Sequence, residues 1–365
     1  MSRGTIRPAR LDDGLQASAF LEGLGLVQPQ GESAILDHWK RIWADNPSLG
    51  QGGEKLPLGV VLEDEAGNIQ GFFGNVARVY RLGDKRLIAG CATQWGVAKD
   101  WRTETRRLAK AYCEQPGADL LLVTTAKRAA SRLFLENDYV AVPQPHLDKV
   151  LYWVTDAQGF LGSAFKRKGW PGWLAALGAP LLSLAAWLKR KARARHPVQR
   201  LKLDELGPAT DALFAAKVQE GTCLLAERDA VTQRWSYARP AETSILAVAD
   251  GTGRMLGQLS LMQDDTPSIG LKRKKVIDLV VLQDDPSVIE SLLAEALRIA
   301  KNEGDHVLEV VGLPMGLRLR FLELGAMERA FISWPAYVKV QTPGLDLSAE
   351  SLWHLTGYDG DATLV

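Results

Sequence analysis

Apolar and polar positions along the chain fall into two blocks that share one order of elements. In the first block, Thr5 to Arg10 reads as a strand, and Asp12-Asp13 caps a helix running to about Leu24. Glu32 to Trp43 has helical spacing and stops before Asn46-Pro47, where proline disfavours further helix. Leu58 to Glu63 and Ile69 to Tyr80 form a predicted hairpin around Gly67, and Leu87 to Ala98 a fourth strand. Thr103 to Glu114 puts Leu108, Ala109, Tyr112 and Cys113 on one helical face. An apolar strand from Asp119 to Thr125, a short helix from Ala129 to Asn137 and a closing strand from Val150 to Val154 complete the block.

The second block repeats the order. Its strands are predicted at Gln199–Leu203, Ser244–Ala249, Met255–Met262, Lys275–Leu282, Val307–Val311 and Ala336–Val340, with helices ending at Tyr237 and spanning Ser287–Asn302 and Gly316–Leu324. The register of the repeat is visible in single residues. Gly67 and Gly71 recur as Gly253 and Gly257, and Phe134-Leu135-Glu136 recurs as Phe321-Leu322-Glu323. So long a period indicates two copies of a domain of roughly 150 residues rather than a solenoid. The expected division is 1–158 and 198–345 for the two domains, 159–197 for the linker between them and 346–365 for a tail. Antiparallel strands followed by a strand-helix-strand unit define an α/β class, each domain a mixed, mostly antiparallel sheet flanked by helices.

The linker breaks the pattern. Gly169 to Leu188 carries no charge and only one hydroxyl, Ser183. Trp170 and Trp173 stand at one end and Trp187 at the other. Lys166-Arg167-Lys168 precedes the run, and Lys189, Arg190, Lys191, Arg193 and Arg195 follow it. The length permits a membrane span. Basic residues at both ends mark neither side as cytoplasmic, and Pro171, Gly178 and Pro180 interrupt a helix. The expectation is a broken helical pair lying in a membrane interface through residues 166–195, with Pro180 as the break. The alternative is an apolar linker packed between the domains.

Composition narrows the class further. An apolar content of 46% is enough for two cores, and 44 Lys and Arg against 43 Asp and Glu argue against general nucleic-acid binding. Cys91, Cys113 and Cys223 have no CxxC spacing, so neither a zinc site nor a disulfide framework is expected. Met1 to Thr5 lacks a signal-peptide core, and a reducing cytoplasm is the expected compartment, with contact to the inner face of the membrane. No metal is expected near His354, Asp359 and Asp361, because no spacing completes a ligand set.

The element order, Ile6-Arg7-Pro8-Ala9-Arg10-Leu11-Asp12-Asp13 near the start, and Leu133-Phe134-Leu135-Glu136-Asn137-Asp138-Tyr139 resemble the GNAT acyltransferases. Asp138-Tyr139 stands where that family usually has Gly-Phe, and the second block keeps Phe321-Leu322-Glu323-Leu324-Gly325-Ala326. The resemblance implies two tandem GNAT-like domains. It implies an acyl-CoA or acyl carrier protein donor whose phosphates rest on the loop after the fourth strand, at a helix N-terminus. That loop maps onto Arg102 to Arg107, with Thr105 and Arg107 in place of small residues and Glu104 as an added negative charge. Val97, Ala98, Arg102, Thr103, Arg106 and Arg107 are the implied donor contacts. The corresponding Asp284-Asp285-Pro286-Ser287 of the second block has no cation and no glycine.

Many members place a tyrosine, as acid, where this chain has Phe134 and Phe321. Thr93, Gln94, Thr124 and Thr125, on the strands that splay in that fold, are then the candidate catalytic groups. Cys91 reads as core, and His38 and His146 are the remaining titratable candidates. The implied activity is transfer of an acyl group from a thioester to an amine. The apolar linker points to a lipid-like amine such as a sphingoid base, as in ceramide-type synthesis. Acylation of an amino sugar of an envelope or exopolysaccharide precursor and a non-catalytic binding scaffold are the alternatives.

Overall fold

The computed structural model describes residues 3–125, 128–189, 191–221, 223–237, 239–330, 336–361 and 363–364. The first half supplies β1 (Thr5–Pro8), α1 (Gly14–Gly23), α2 (Glu32–Trp43), β2 (Gly59–Glu63), β3 (Ile69–Leu82), β4 (Lys85–Val97), α3 (Thr105–Cys113), β5 (Leu120–Val123), α4 (Arg128–Leu135), β6 (Val140–Ala141) and β7 (Lys149–Val154). Helices α5 (Ala157–Lys168) and α6 (Trp173–Lys189) follow. The second half supplies β8 (Gln199–Leu201), α7 (Pro208–Gln219), β9 (Leu224–Ala226), α8 (Ala230–Ser236), β10 (Thr243–Ala249), β11 (Met255–Gln263), β12 (Arg273–Val281), α9 (Pro286–Asn302), β13 (Val307–Val311), α10 (Met315–Glu323), β14 (Met327–Ala330) and β15 (Tyr337–Val340).

The two matching turn sequences adopt matching turns. In the β2–β3 turn, Asp64 Oδ1 accepts from the Ala66 and Asn68 amides, and Gly67 has φ +81°. In the β10–β11 turn, Asp250 Oδ1 accepts from the Thr252 and Arg254 amides, and Gly253 has φ +86°. An aspartate that ties down its own turn, followed by a residue needing positive φ, is why the same pattern reads as a hairpin twice. The expected mixed sheets are present. One runs β1-β2-β3-β4-β5-β15-β6, with β9 added along β3, and the other runs β14-β7-β13-β12-β11-β10-β8.

The closing strands differ from expectation. Val150 to Val154 was to finish the first sheet and residues 336–340 the second. Instead β7 lies between β13 and β14, and β15 lies between β5 and β6. The first half lends β7 to the other's sheet, and the second half lends β15 and, along β3, β9. The reason is physical: the apolar run of Val150, Leu151, Trp153 and Val154 specifies a strand buried on both faces, not which sheet it joins.

The linker forms a hairpin of helices. Asp156 caps α5 by accepting from the Gln158 and Gly159 amides, and Gly169, with φ +71°, ends it. Pro180 was expected to split the apolar run. It does not: α6 continues through it from Trp173 to Lys189, and the break falls at Gly169. Ala176, whose carbonyl loses its partner to Pro180, is exposed, so water can satisfy it.

The segment after β15 is a structural element rather than a free tail. Trp353, Leu355, Tyr358 and Leu364 are buried in the core shared by the two halves. Arg228 binds Asp278 of β12 through Nε at 2.7 Å and Asp359 at 3.3 Å, while Tyr80 of β3 donates to Asp359 at 2.9 Å. Both sheets and the final segment therefore meet on one buried cation.

Candidate active site

Strand β4 carries one residue too many for its partner. Phe73 pairs with Trp95 and Gly74 with Thr93, so Gln94 is extruded as a bulge at φ +35°. Beside it, β4 and β5 pair only from Ala89↔Leu120 to Cys91↔Leu122. Past that point the two strands no longer pair, leaving a gap between them. The gap opens into a cleft of about 920 Å³ lined by Gln94, Trp95, Gly96, Val97, Arg102, Thr103, Thr105, Arg106, Thr125 and Asp361 among others.

The cleft ends at the N-terminus of α3. Arg102 is exposed there, and Arg106 is held loosely by Glu136 at 3.3 Å with its side chain 72% exposed, so both remain available to an anion. Glu104 is turned away. It is buried, accepts from the Arg3 amide and pairs with Arg107 at 3.0 Å. Arg107 itself donates to the Arg3 and Gly4 carbonyls. The structure thus gathers Gln94, Val97, Arg102, Thr103, Arg106 and Thr125 around one cleft. Ala98 and Arg107 lie outside its lining, Thr93 is buried, and Thr124 lines a second cavity.

In the second half the matching helix N-terminus is already occupied. Asp285 accepts from the Ser287 and Val288 amides at the start of α9. Lys217 fills the adjacent space, donating to the Val281 carbonyl at 2.9 Å and pairing with Asp284 and Glu220. An internal carboxylate takes the amides a phosphate would use.

The second sheet nevertheless opens at the equivalent place. β12 and β13 pair only as far as Val276↔Val310. Beyond them lies a cavity of about 410 Å³ between the halves, with Leu147, Met262, Val276, Ile277, Val311, Ala336 and Leu355 supplying an apolar wall. Arg239, Asp264 and Lys275 add charge. Burial alone would raise the Asp264 carboxyl, but Lys275 and Arg273 outweigh it and hold it below its usual range.

Thr125 and Asp361 line both cavities, so the clefts of the two sheets meet there. Asp361 is buried and accepts from Thr125 Oγ1 at 2.9 Å. Burial pushes its carboxyl up, opposed by Thr125 and Thr93. The segment reaches this position because Gly360, at φ +73°, packs on β5's end: a Cβ there would sit 1.9 Å from Thr124 Oγ1. Sequence reasoning missed Asp361. The signal was the glycine-spaced acids of Gly357-Tyr358-Asp359-Gly360-Asp361 inside an otherwise apolar segment.

The remaining candidates have other surroundings. Cys91 is fully buried, and burial pushes its thiol up to about 12, so it is no nucleophile. His38 lies 3.5 Å from Gln94 Nε2, and burial and Arg41 push it down to about 4, so it is neutral. Gln28 donates to Gln94 Oε1 at 2.8 Å, fixing the bulge side chain from the other side. His146 takes a left-handed turn conformation and lines neither cavity. Phe134 is buried between Tyr139, Tyr337 and Phe73. Among the described residues no cluster of three His, Cys, Asp or Glu side chains is arranged to hold a metal ion.

Two mixed sheets flanked by helices form a GNAT-like fold in two lobes. No protein-family model and no curated protein matches the chain. Solved structures do. A GCN5-related N-acetyltransferase from Anabaena variabilis superposes with a TM-score of 0.61 at 13% identity, covering 93% of this chain and 73% of the other. A probable N-acyltransferase from Enterococcus faecalis gives 0.58 at 7% identity, covering 92% and 72%. Saccharomyces cerevisiae N-myristoyltransferase with bound myristoyl-CoA gives 0.52 at 10% identity, covering 93% and 78%. At these identities the likeness is one of fold.

Proposed function

We propose that the protein is an N-acyltransferase working across its two clefts. The observation that carries this reading is the shared lining: the β4–β5 cleft and the inter-lobe cavity meet at Thr125 and Asp361. The acyl thioester occupies the first, with its phosphates toward Arg102, Arg106 and the start of α3, whether they belong to coenzyme A or to a carrier protein's pantetheine. The amine occupies the second. Its nitrogen attacks the thioester carbon, the C–S bond breaks, and the proton passes to Asp361. Backbone N–H groups at the Gln94 bulge polarise the carbonyl oxygen. With Phe134 where a proton donor would be, sulfur leaves as thiolate, which needs no obligatory protonation.

The apolar wall of the inter-lobe cavity favours a long-chain, lipid-like amine, of the sphingoid type, over an amino sugar. We read residues 1–158 and 198–345 as duplicated copies, of which the first keeps the donor site and the second has become the acceptor side. The test is incubation with acyl-CoA of several chain lengths and a panel of long-chain amines and amino sugars, followed by mass spectrometry of the products. Amide formation on long-chain amines supports the reading. Donor binding without any transfer supports a binding protein instead, and products only from amino sugars would replace the acceptor.

A further inference from the structure

Helix α6 is built with its large apolar residues outward. Trp173, Leu177, Leu181, Leu184, Trp187 and Leu188 are 54–74% exposed. At 100° per residue they fall within an arc of roughly 120°. The opposite face carries Ala175, Ala179, Leu182 and Ala186, of which the last three cluster with Val154, Ala157 and Met327. A helix covered only by its own domain would show the reverse order. So large an exposed apolar stripe marks a surface that is covered by something.

The charge around the stripe identifies what covers it. No carboxylate occurs between Asp156 and Asp204. Lys166, Arg167 and Lys168 end α5, Lys189 ends α6, and Lys191 and Arg193 follow, all exposed. Among the described residues these six have no ion-pair partner; Arg190 lies outside the described residues. Trp170, beneath Lys168 at 5.0 Å, adds an aromatic ring at the α5–α6 corner. An apolar stripe with tryptophans at both ends and cations beyond them matches a layer that is apolar inside and anionic at its surface. A second copy of the chain fits poorly, since pairing the stripes would bring two cationic rims together. No helix among the described residues is long and apolar enough to cross a membrane.

We infer that the α5–α6 hairpin docks the protein on an anionic phospholipid bilayer, with α6 lying in the plane of the headgroups. The inference is independent of acyl transfer. The test is flotation of the full chain with vesicles of phosphatidylcholine alone or mixed equally with phosphatidylglycerol, at low and raised salt. The chain is expected to float with the mixed vesicles at low salt, and much less with either raised salt or phosphatidylcholine alone. A triple variant, Leu177→Ser, Leu181→Ser and Trp187→Ser, is expected to lose about a hundredfold or more in partitioning. Lys166→Glu with Arg167→Glu and Lys168→Glu is expected to lose a similar factor. All six positions are exposed, so thermal melts of both variants should match the parent. Three results would overturn the inference: no flotation of the parent chain, equal flotation of parent and variants, or a parent dimer that the apolar variant dissociates without any vesicle binding.

Discussion

Replacing Asp361 by Asn tests the junction of the two clefts directly. The side chains are nearly isosteric, and an Asn oxygen can still accept from Thr125 Oγ1, so the local packing is kept. What is lost is proton acceptance. A positioned general base contributes about 10²–10⁴ in rate, or about 3–5 kcal/mol of transition-state stabilisation. The loss should fall on kcat, with the amine KM little changed. Stability should move the other way. Burial raises the folded carboxyl above its unfolded value, so the stability it contributes is complete below that unfolded value and is lost as pH rises through the folded one. Above the folded value the parent holds a costly buried charge, so there the Asn variant should melt at the same temperature or higher, the gap closing as pH falls below it. The assay is thiol release from acyl-CoA across a pH series, beside thermal melts. The parent rate should rise with pH through a limb displaced upward from the ordinary carboxylate range, which the variant lacks. A variant rate within about threefold of the parent with the limb intact would refute Asp361 as the base.

Four other outcomes are expected. Arg102→Glu with Arg106→Glu should weaken donor binding by at least about tenfold in calorimetry, since a charged contact contributes about 1.5–3 kcal/mol, while Arg107→Gln, which ties α3 to the start of β1, should lower stability and leave donor affinity near the parent value. Asp285→Ala should cost about 1 kcal/mol in urea unfolding without creating a second donor site, and a titration with two donors per chain would contradict the reading that the α9 N-terminus holds no donor. Gly360→Ala forces a Cβ onto Thr124 and should destabilise by about 1–3 kcal/mol while lowering activity; unchanged melts would mean the segment packs elsewhere. His354 is buried, and burial and Arg228 push it down to about 4, so the unfolded chain takes up its proton first and the stability present above about 6.5 is lost as pH falls toward 4. That loss is about 3 kcal/mol, measurable as urea melts at neutral and acid pH that differ less in His354→Gln.

Local order was legible because it is written locally. The aspartate-tied turns at Gly67 and Gly253, the apolar face of α3 and the Arg102 loop each lie within a few residues of one another. The β4–β5 cleft follows from the same short-range signals, and Gln94, Thr125, Arg102 and Arg106 all line it. What escaped depends on partners far along the chain. Nothing in Lys149 to Val154 says that it pairs with Val307 to Val311. Asp361 looks like a surface acid until Gly360 is seen to let it reach Thr125. Pro180 drew attention as a breaker, yet solvent exposure makes its missing hydrogen bond inexpensive, and the flexible Gly169 sets the corner.

The exchange of β7 and β15 also bears on synthesis. During translation β5 emerges early, but its neighbour β15 is encoded more than 200 residues later. At about 5–20 residues per second, the delay is on the order of ten seconds or more. For that interval the first sheet has an open edge at Leu120 to Val123, an apolar row of unpaired backbone groups suited to pairing with a neighbouring nascent chain. Ribosome pausing within the second half should therefore raise aggregation more than pausing within the first. The yield of native protein would be set by how long that edge waits.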